Sequence, residues 1–226
     1  MFELRRCEDA QALARTVADH LAERISAILD QQPLCRVALP GGSTPGQMLA
    51  MLAGTTLPWA RVHWYLGDER CYPTGHAGRN DVMLMQQLWS RIDAPIENRH
   101  PIAAELGPEP AAAQYTDELL EAGPLDIVVL GMGEDGHTAS LFPGNAALGD
   151  LRPVVPVYHA PKPPAERVSL GLVTLQAAAE RVVLVAGQAK AETVARVQAG
   201  EPLPVNLVGP ALWFVDAAAA GSMADN

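Results

Sequence analysis

Short apolar segments recur along the chain, and amphipathic segments separate most of them. The segments with strand character are 35–39, 61–67, 125–131, 167–173, 181–187 and 212–216. Between them apolar residues recur at helical spacing, first in a segment that Asp9 can cap and that extends to about Leu29. Strands alternating with helices at such short spacing form a mostly parallel sheet covered on both faces. We therefore predict an α/β fold in which residues 1–226 form a single domain.

Charge and cysteine content narrow the class of partner and the compartment. The formal net charge of −10 disfavours nucleic acid and anionic membranes as partners. No run of about 18 apolar residues and no apolar leader segment are present, so we expect neither a membrane span nor secretion. Cys7, Cys35 and Cys71 lack the paired spacing of a disulfide framework or a zinc knuckle, so we expect neither, and we expect a reducing cytoplasmic location.

Three polar, glycine-containing segments follow directly after predicted strands. They are PGGSTP at 40–45, GDER at 67–70 and GMGEDGH at 131–137. In open parallel sheets the ligand site lies beyond the carboxyl ends of the strands. The sequence therefore predicts that these three segments meet at one site.

The third segment has the outline of a dinucleotide-binding loop, because Gly131, Gly133 and Gly136 spell G-x-G-x-x-G. A dinucleotide loop belongs in the first strand–helix unit and needs a carboxylate about 20 residues further on. Here the glycines come in a later unit, no such carboxylate follows, and Pro143 interrupts the next segment. We therefore predict no nucleotide cofactor.

His137 follows the third glycine at once and is the candidate general base. Imidazole has a pKa near 6.5, which suits proton transfer at neutral pH. Asp135 lies two positions earlier and can orient the ring. In the alternative interpretation, His137 only caps the following turn and Asp135 solvates the loop. The sequence pattern leaves both interpretations open.

The first segment has the character of a phosphate-binding turn. Gly41 and Gly42 permit close backbone approach, and Ser43 and Thr44 can donate hydrogen bonds at a helix N-terminus. No G-K-[ST] follows, so nucleotide hydrolysis is not supported. An ordinary capped turn is the alternative interpretation.

The second segment places an arginine beside two carboxylates. We interpret Arg70 as a contact for an anion or an oxyanion, steadied by Asp68. The alternative is a solvated run of charges.

Five segments together resemble the 6-phosphogluconolactonase family, in the same order and over nearly the whole chain. They are PGGSTP, GDERCYPTGHAGRND, GMGEDGHTASLFPG, PKPPAERVSL and VLVAGQAK. The resemblance implies a single Rossmann-like three-layer α/β/α domain. It also implies hydrolysis of 6-phospho-D-glucono-1,5-lactone to 6-phospho-D-gluconate in the oxidative pentose phosphate pathway, without a metal or nucleotide cofactor.

The resemblance also assigns roles. It implies that His137 is the general base, that Arg167 and Lys190 lie near the substrate phosphate, and that Arg70 belongs to a D-E-R signature. The full predicted set comprises the catalytic residues His137, Asp135 and Arg70 and the substrate-binding residues Gly41, Gly42, Ser43, Thr44, Asp68, Asn80, Gly133, Arg167 and Lys190. The chain departs from the family pattern at Pro40, Gly75 and Arg79, which leaves open which basic residues contact phosphate.

Two other functions stay open. The related glucosamine-6-phosphate deaminases carry a glutamate five positions after the loop histidine, where this chain has Phe142, and this difference favours the lactonase. The fold also serves as a sugar-phosphate-sensing module behind a DNA-binding segment, but only about 35 residues precede the first predicted strand here. The predicted partner is a small sugar phosphate lactone, and the oligomeric state is left open.

Overall fold

The computed structural model describes residues 3–221, which form ten strands and eight α-helices together with short 3-10 and π turns. The strands are β1 (Glu3–Cys7), β2 (Cys35–Leu39), β3 (Val62–Leu66), β4 (Asp68–Arg70), β5 (Arg99–His100), β6 (Ile127–Gly131), β7 (Val154–Val157), β8 (Arg167–Leu170), β9 (Glu180–Val185) and β10 (Leu212–Asp216). The helices are α1 (Ala10–Leu29), α2 (Ser43–Leu52), α3 (Asn80–Leu84), α4 (Pro108–Ala122), α5 (Leu172–Ala177), α6 (Ala191–Gln198), α7 (Pro204–Leu207) and α8 (Ala217–Ala220).

Seven of the strands form one sheet in the order β1-β10-β9-β6-β2-β3-β5, and every neighbouring pair is parallel. The central strands consist almost entirely of buried aliphatic and aromatic residues, as expected for a sheet covered on both faces. The predicted α/β class with a mostly parallel sheet and flanking helices is therefore confirmed. Asp9 caps α1 as predicted, with Oδ1 accepting a hydrogen bond of 2.8 Å from the backbone N–H of Ala12.

A second sheet, absent from the sequence-based prediction, consists of β4, β8 and β7 in antiparallel pairs. The GDER segment was expected to be a loop, yet 68–70 is a strand. Residues 167–173 were expected to form one strand, but the strand ends at Leu170 and α5 begins at Leu172. Because Gly67 separates β4 from β3 by a single residue, the sequence pattern gives no boundary between them.

The first strand was also wrongly placed at 35–39. β1 precedes it and pairs in parallel with β10 at the edge of the large sheet. Its pattern did not predict a strand because Arg5 and Arg6 are exposed and only Cys7 is buried. An edge strand with one buried residue carries little apolar periodicity.

The sheet order determines where the three polar segments lie. β6 pairs with β2, and β2 pairs with β3, so the segments that follow these strands are neighbours at one edge of the sheet. β9 lies on the other side of β6, and the turn that follows it ends at Lys190. The predicted convergence of the three segments at the carboxyl ends is confirmed. Over residues 3–221, none of the helices combines the length and the apolar character needed to span a bilayer.

Candidate active site

A cleft of about 330 Å³ opens at this edge of the sheet. Eight of the twelve predicted site residues line it, and so do several residues that had no predicted role. The lining consists of Pro40, Gly41, Gly42, Asp68, Arg70, Gly131, Met132, Gly133, His137, Ala139, Lys162, Pro163, Arg167 and Lys190. The cleft is therefore built from all three polar segments and from two later segments that carry cations.

The imidazole of His137 is held by the loop that carries it. Its Nδ1 lies 2.5 Å from Oδ1 of Asp135, and the same oxygen accepts a hydrogen bond of 3.2 Å from the backbone N–H of His137. Because a carboxylate only accepts, Nδ1 carries the proton and Nε2 keeps its lone pair. His137 lines the cleft and keeps Nε2 as its basic nitrogen, so the ring does more than cap the following turn.

Gly133 makes this pairing sterically possible. A Cβ atom at position 133 would lie 2.0 Å from Nδ1 of His137 and 2.6 Å from Oδ1 of Asp135. The loop is also closed by a bond of 2.8 Å from the N–H of Gly133 to the carbonyl of His137. Thr138 Oγ1 donates to the Gly131 carbonyl at 2.8 Å and fixes the loop to the end of β6. The glycine at position 133 therefore makes room for the pair formed by Asp135 and His137.

The segment after Gly136 does not supply the helix that a dinucleotide loop requires. Gly136 has a φ of +83° and is followed by a short bridge between Thr138 and Leu141. A dinucleotide pyrophosphate binds at the N-terminus of a helix that continues directly from the glycines. The geometry therefore does not match that motif.

Burial lowers the pKa of His137, and the neighbouring carboxylates of Asp135 and Asp68 partly oppose this effect. Burial raises the pKa of Asp135, but the hydrogen bond and charge of His137 outweigh it and leave that pKa below its ordinary value. His137 is therefore neutral at pH 7 and able to accept a proton, with an ionised carboxylate beside it.

Asp68 has a different partner from the predicted one. Its Oδ2 accepts a hydrogen bond of 2.5 Å from Ser140, and its Oδ1 accepts one of 3.1 Å from Asn80 Nδ2. Arg70 instead donates from Nη1 to the carbonyl of Gly78 at 2.6 Å. The expectation that Asp68 steadies Arg70 is wrong, because Asp68 is 6% exposed and its acceptor sites are turned to buried donors.

Asn80 lies behind the cleft wall and does not line the cleft. Its Nδ2 also donates to the Asp68 carbonyl at 2.8 Å, and a Cβ atom at Gly41 would lie 1.9 Å from its Oδ1. Glu69 is fully buried and accepts backbone N–H bonds of 2.7–2.8 Å from Arg70, Asn80 and Asp81. Burial raises the pKa of Glu69 to about 7. Asn80 and Glu69 thus join β4, α3 and the first glycine turn.

Four cations line the cleft of this acidic protein: Arg70, Lys162, Arg167 and Lys190. Arg167 is 5% exposed and donates to the carbonyls of Lys162, Pro163 and Pro164 at 3.0–3.2 Å. It therefore also holds in place the segment that carries Lys162. Burial lowers the pKa of Lys190, whose Nζ lies 3.9 Å from the Glu134 carboxylate.

Arg79, which the sequence left as a candidate phosphate contact, is committed elsewhere. It is 3% exposed, pairs with Asp81 at 2.8 Å and with Glu105 at 2.7 Å, and donates to the carbonyls of Tyr72 and Ile102. Arg79 joins α3 to the segment before α4, and it is not in the cleft lining.

The remaining predicted residues lie around the cleft. Asp135 is not in the cleft lining; it contacts His137 and lines a separate hollow. Ser43 is exposed at the start of α2 and lines an adjoining pocket that shares Gly42 and Arg70 with the cleft. Thr44 lines neither the cleft nor that pocket, so its predicted contact with phosphate has no support in the geometry.

Lys162 and Ser140 were missed by the sequence-based prediction. Lys162 stands in the PKPP segment, which carried the family resemblance but received no role. Ser140 stands in the HTASLF segment after the base, and its bond to Asp68 depends on a contact between distant parts of the chain. A lysine among prolines in an acidic protein was a usable indication for Lys162, whereas nothing local pointed to Ser140.

Among residues 3–221, no group of three or more histidine, cysteine, aspartate or glutamate side chains is placed to hold a metal ion. The cleft residues that can act chemically are an imidazole, one carboxylate and four cations, and a second carboxylate, Asp135, holds the imidazole from outside the lining. That set can move a proton and bind an anion.

Comparison with known proteins gives a consistent result. Residues 8–213 match the family described as glucosamine-6-phosphate isomerases/6-phosphogluconolactonase. The chain is 32% identical to a 6-phosphogluconolactonase of Nostoc, over 95% of each chain. It is 33% identical to the human 6-phosphogluconolactonase, over 93% of this chain and 90% of the human one.

The fold agrees as well. The crystal structure of 6-phosphogluconolactonase from Thermotoga maritima superposes with a TM-score of 0.90 at 28% identity, covering 96% of this chain and all of the other. The family match, the relatives and the superposed structure each extend over most of the chain. The protein therefore belongs to the glucosamine-6-phosphate isomerase/6-phosphogluconolactonase family.

Proposed function

We propose that the protein hydrolyses 6-phospho-D-glucono-1,5-lactone to 6-phospho-D-gluconate in the oxidative pentose phosphate pathway. The observation that carries the proposal is the Asp135–His137 pair, whose imidazole lines a cleft that four cations also line. Relatives at about one third identity over nearly the whole chain are named 6-phosphogluconolactonase and support the same reaction. The substrate is a small anionic sugar derivative, which fits a cleft of about 330 Å³.

In the proposed mechanism His137 acts on water. Neutral Nε2 accepts a proton from a water molecule as its oxygen attacks C1 of the lactone, a role typically worth about 10²–10⁴-fold in rate. The Asp135 carboxylate holds the ring and stabilises the imidazolium that forms. The protonated His137 then returns its proton to the ring oxygen as the C1–O bond breaks, which gives the open-chain acid.

The tetrahedral intermediate carries negative charge on the former carbonyl oxygen. Arg70 and backbone N–H groups of the first and third polar segments line the cleft and are the proposed donors to this oxyanion. One such donor is typically worth about 10²–10³-fold in rate. Lys162, Arg167 and Lys190 are the proposed contacts of the 6-phosphate, with Gly42 and Ser43 beside them at the start of α2.

A deaminase of the same family is the second candidate, since the family description includes both activities. Deamination of an amino sugar with ring opening requires further proton transfers beyond the base. Phe142 lies 4.4 Å from the His137 ring, is 1% exposed, and has no proton to exchange. This position favours the lactonase over the deaminase. A sensing module would have no use for an imidazole held by a carboxylate in the cleft.

We further propose that the chain works as one cytoplasmic domain without a metal or nucleotide cofactor. The large sheet supports the single domain, because it pairs β1 with β10 from opposite ends of the described chain.

The test is to follow 6-phosphogluconate formation from freshly made lactone and ammonia release from glucosamine 6-phosphate, with the same purified protein. Acceleration of the first reaction alone supports the proposal. Ammonia release without lactone hydrolysis would establish the deaminase instead.

A further inference from the structure

The ring of Phe142 contacts two groups of the cleft that come from distant parts of the chain. Its centroid lies 4.4 Å from that of the His137 imidazole, with the planes tilted by 41°. The guanidinium carbon of Arg167 lies 5.5 Å from the same centroid, within the range of a cation–π contact. Phe142 is therefore packed between the candidate base and a candidate phosphate contact, although it does not line the cleft.

We propose that Phe142 is a positioning residue, whose ring fixes the His137 imidazole and the Arg167 guanidinium relative to each other and excludes water from the side of the imidazole that it covers. The inference rests on the proposed function for the roles of base and phosphate contact. It assigns to Phe142 a role in the reaction that goes beyond filling the core.

The backbone around Phe142 is suited to this role. Leu141 closes a tight turn by donating to the Thr138 carbonyl at 2.9 Å, and Asn145 donates to the Phe142 carbonyl at 3.1 Å. Thr138 is itself bound to Gly131 at the end of β6. Phe142 therefore has the same rigid support as His137, five residues earlier.

Arg167 reaches the ring from β8, in the other sheet. Three carbonyls and Ser140 already hold its guanidinium, with Nη1 lying 3.4 Å from Ser140 Oγ. A side chain held this firmly has a fixed position relative to the ring it packs on. Because the guanidinium is already fixed, the Phe142 ring determines how closely the His137 imidazole can approach it.

The charged groups around the His137 imidazole determine how the Phe142 ring changes its pKa. Asp135 faces it from its own loop, Asp68 from β4, Lys162 from the segment before β8, and Arg167 from beyond the Phe142 ring. Burial is the main cause of the lowered pKa of His137, and the two carboxylates oppose it. Removing the Phe142 ring admits water and reduces the burial of the imidazole. The effect of the two carboxylates then outweighs that of burial, so the pKa of His137 rises.

Phe214 provides a matched control within the same chain. Its ring is fully buried in β10, lies 5.4 Å from the His20 ring, and has the Arg5 guanidinium carbon 5.6 Å from its centroid. It thus repeats the histidine–phenylalanine–arginine arrangement outside the cleft lining. If Phe142 only fills the core, replacing Phe142 or Phe214 should have similar effects on the protein. If Phe142 positions the base, only its replacement should change the pH dependence of the reaction.

The experiment compares wild type with Phe142→Ala, Phe142→Leu and Phe214→Leu. For each we would measure the pH profiles of kcat and kcat/KM for the lactone, and titrate the imidazole of His137 by ¹⁵N NMR. For Phe142→Ala we expect a shift of the acidic limb and of the His137 titration to higher pH by about half a unit or more, with a several-fold higher KM. Phe142→Leu should shift the acidic limb and the His137 titration in the same direction but by less. Phe214→Leu should leave the acidic limb and the titration unchanged.

A folded Phe142→Ala protein with an unchanged His137 titration would overturn the inference, and so would an equal shift in Phe214→Leu. If the alanine variant does not fold, the leucine variant decides by the same criterion. If the wild type does not hydrolyse the lactone, the proposed function fails, yet the NMR titrations still test the link between Phe142 and His137.

Discussion

Oδ1 of Asp135 lies 2.5 Å from Nδ1 of His137, and this contact assigns the tautomer of the base. An amide at position 135 keeps the shape but loses the charge, so it can present a donor to Nδ1 and no longer stabilises the imidazolium. We expect Asp135→Asn to lower kcat by about ten-fold or more.

The pH profile of Asp135→Asn should move in a defined direction. His137 acts when it is neutral, so activity is present above its pKa and is lost as the pH falls through it. Asp135 raises that pKa, and its removal should move the acidic limb of kcat/KM to lower pH. Asp150→Asn, which removes a carboxylate from an exposed pair with Arg152, should leave the profile unchanged. A limb that moves to higher pH would contradict the assignment.

Gly133 is predicted to tolerate no side chain. A Cβ atom there would lie 2.0 Å from Nδ1 of His137, so Gly133→Ala must displace the imidazole or the Asp135 carboxylate. We expect kcat/KM to fall by at least about ten-fold, because the base loses its orientation. Gly149→Ala is the control, since nothing lies within 4 Å of a Cβ at that position. Equal lactone hydrolysis by the two variants would show that the close approach at 133 does not matter.

Arg79 should prove to be a stability residue. Arg79→Met leaves Asp81 and the buried Glu69 without their cation, and we expect it to reduce the free energy of unfolding by about 3 kcal/mol. Arg152→Met removes an exposed cation and should cost no more than about 1 kcal/mol. Urea denaturation gives both values. A KM for the lactone that rises in folded Arg79→Met would instead place this residue at the phosphate.

Lys162 is predicted to recognise the phosphate. Lys162→Met should raise KM for the 6-phosphorylated lactone by about ten-fold and leave the hydrolysis of unphosphorylated glucono-1,5-lactone unaffected. Arg91→Met removes an exposed arginine outside the cleft lining. It should change neither the KM for the 6-phosphorylated lactone nor the hydrolysis of the unphosphorylated one. Equal losses on both lactones would show that Lys162 acts on the fold or on the reacting carbon.

Much of the fold followed from the sequence because buried parallel strands are continuous apolar segments. The segments 35–39 and 212–216 agree with the observed strands to the residue. The second sheet was not predicted, because β4 has three polar residues and is separated from β3 only by Gly67. β1 was missed because its exposed arginines hide the apolar pattern.

The site could be predicted as far as its residues are adjacent in sequence. Asp135 and His137 lie in one loop, so the spacing alone suggested their pairing. The partners of Asp68 could not be predicted, because Ser140 is 72 residues away and reaches it only in the folded chain. Arg79 was ambiguous for the same reason, since Glu105 lies in a distant segment.

Neutral His137 is proposed to deprotonate the attacking water, and His137→Asn removes that base while keeping a polar side chain of similar size. The measurement is kcat/KM for 6-phospho-D-glucono-1,5-lactone at pH 7, corrected for spontaneous hydrolysis, together with the thermal unfolding temperature. We expect kcat/KM to fall by about 10²–10⁴-fold in a protein that remains folded. Near wild-type kcat/KM in the folded variant would contradict it.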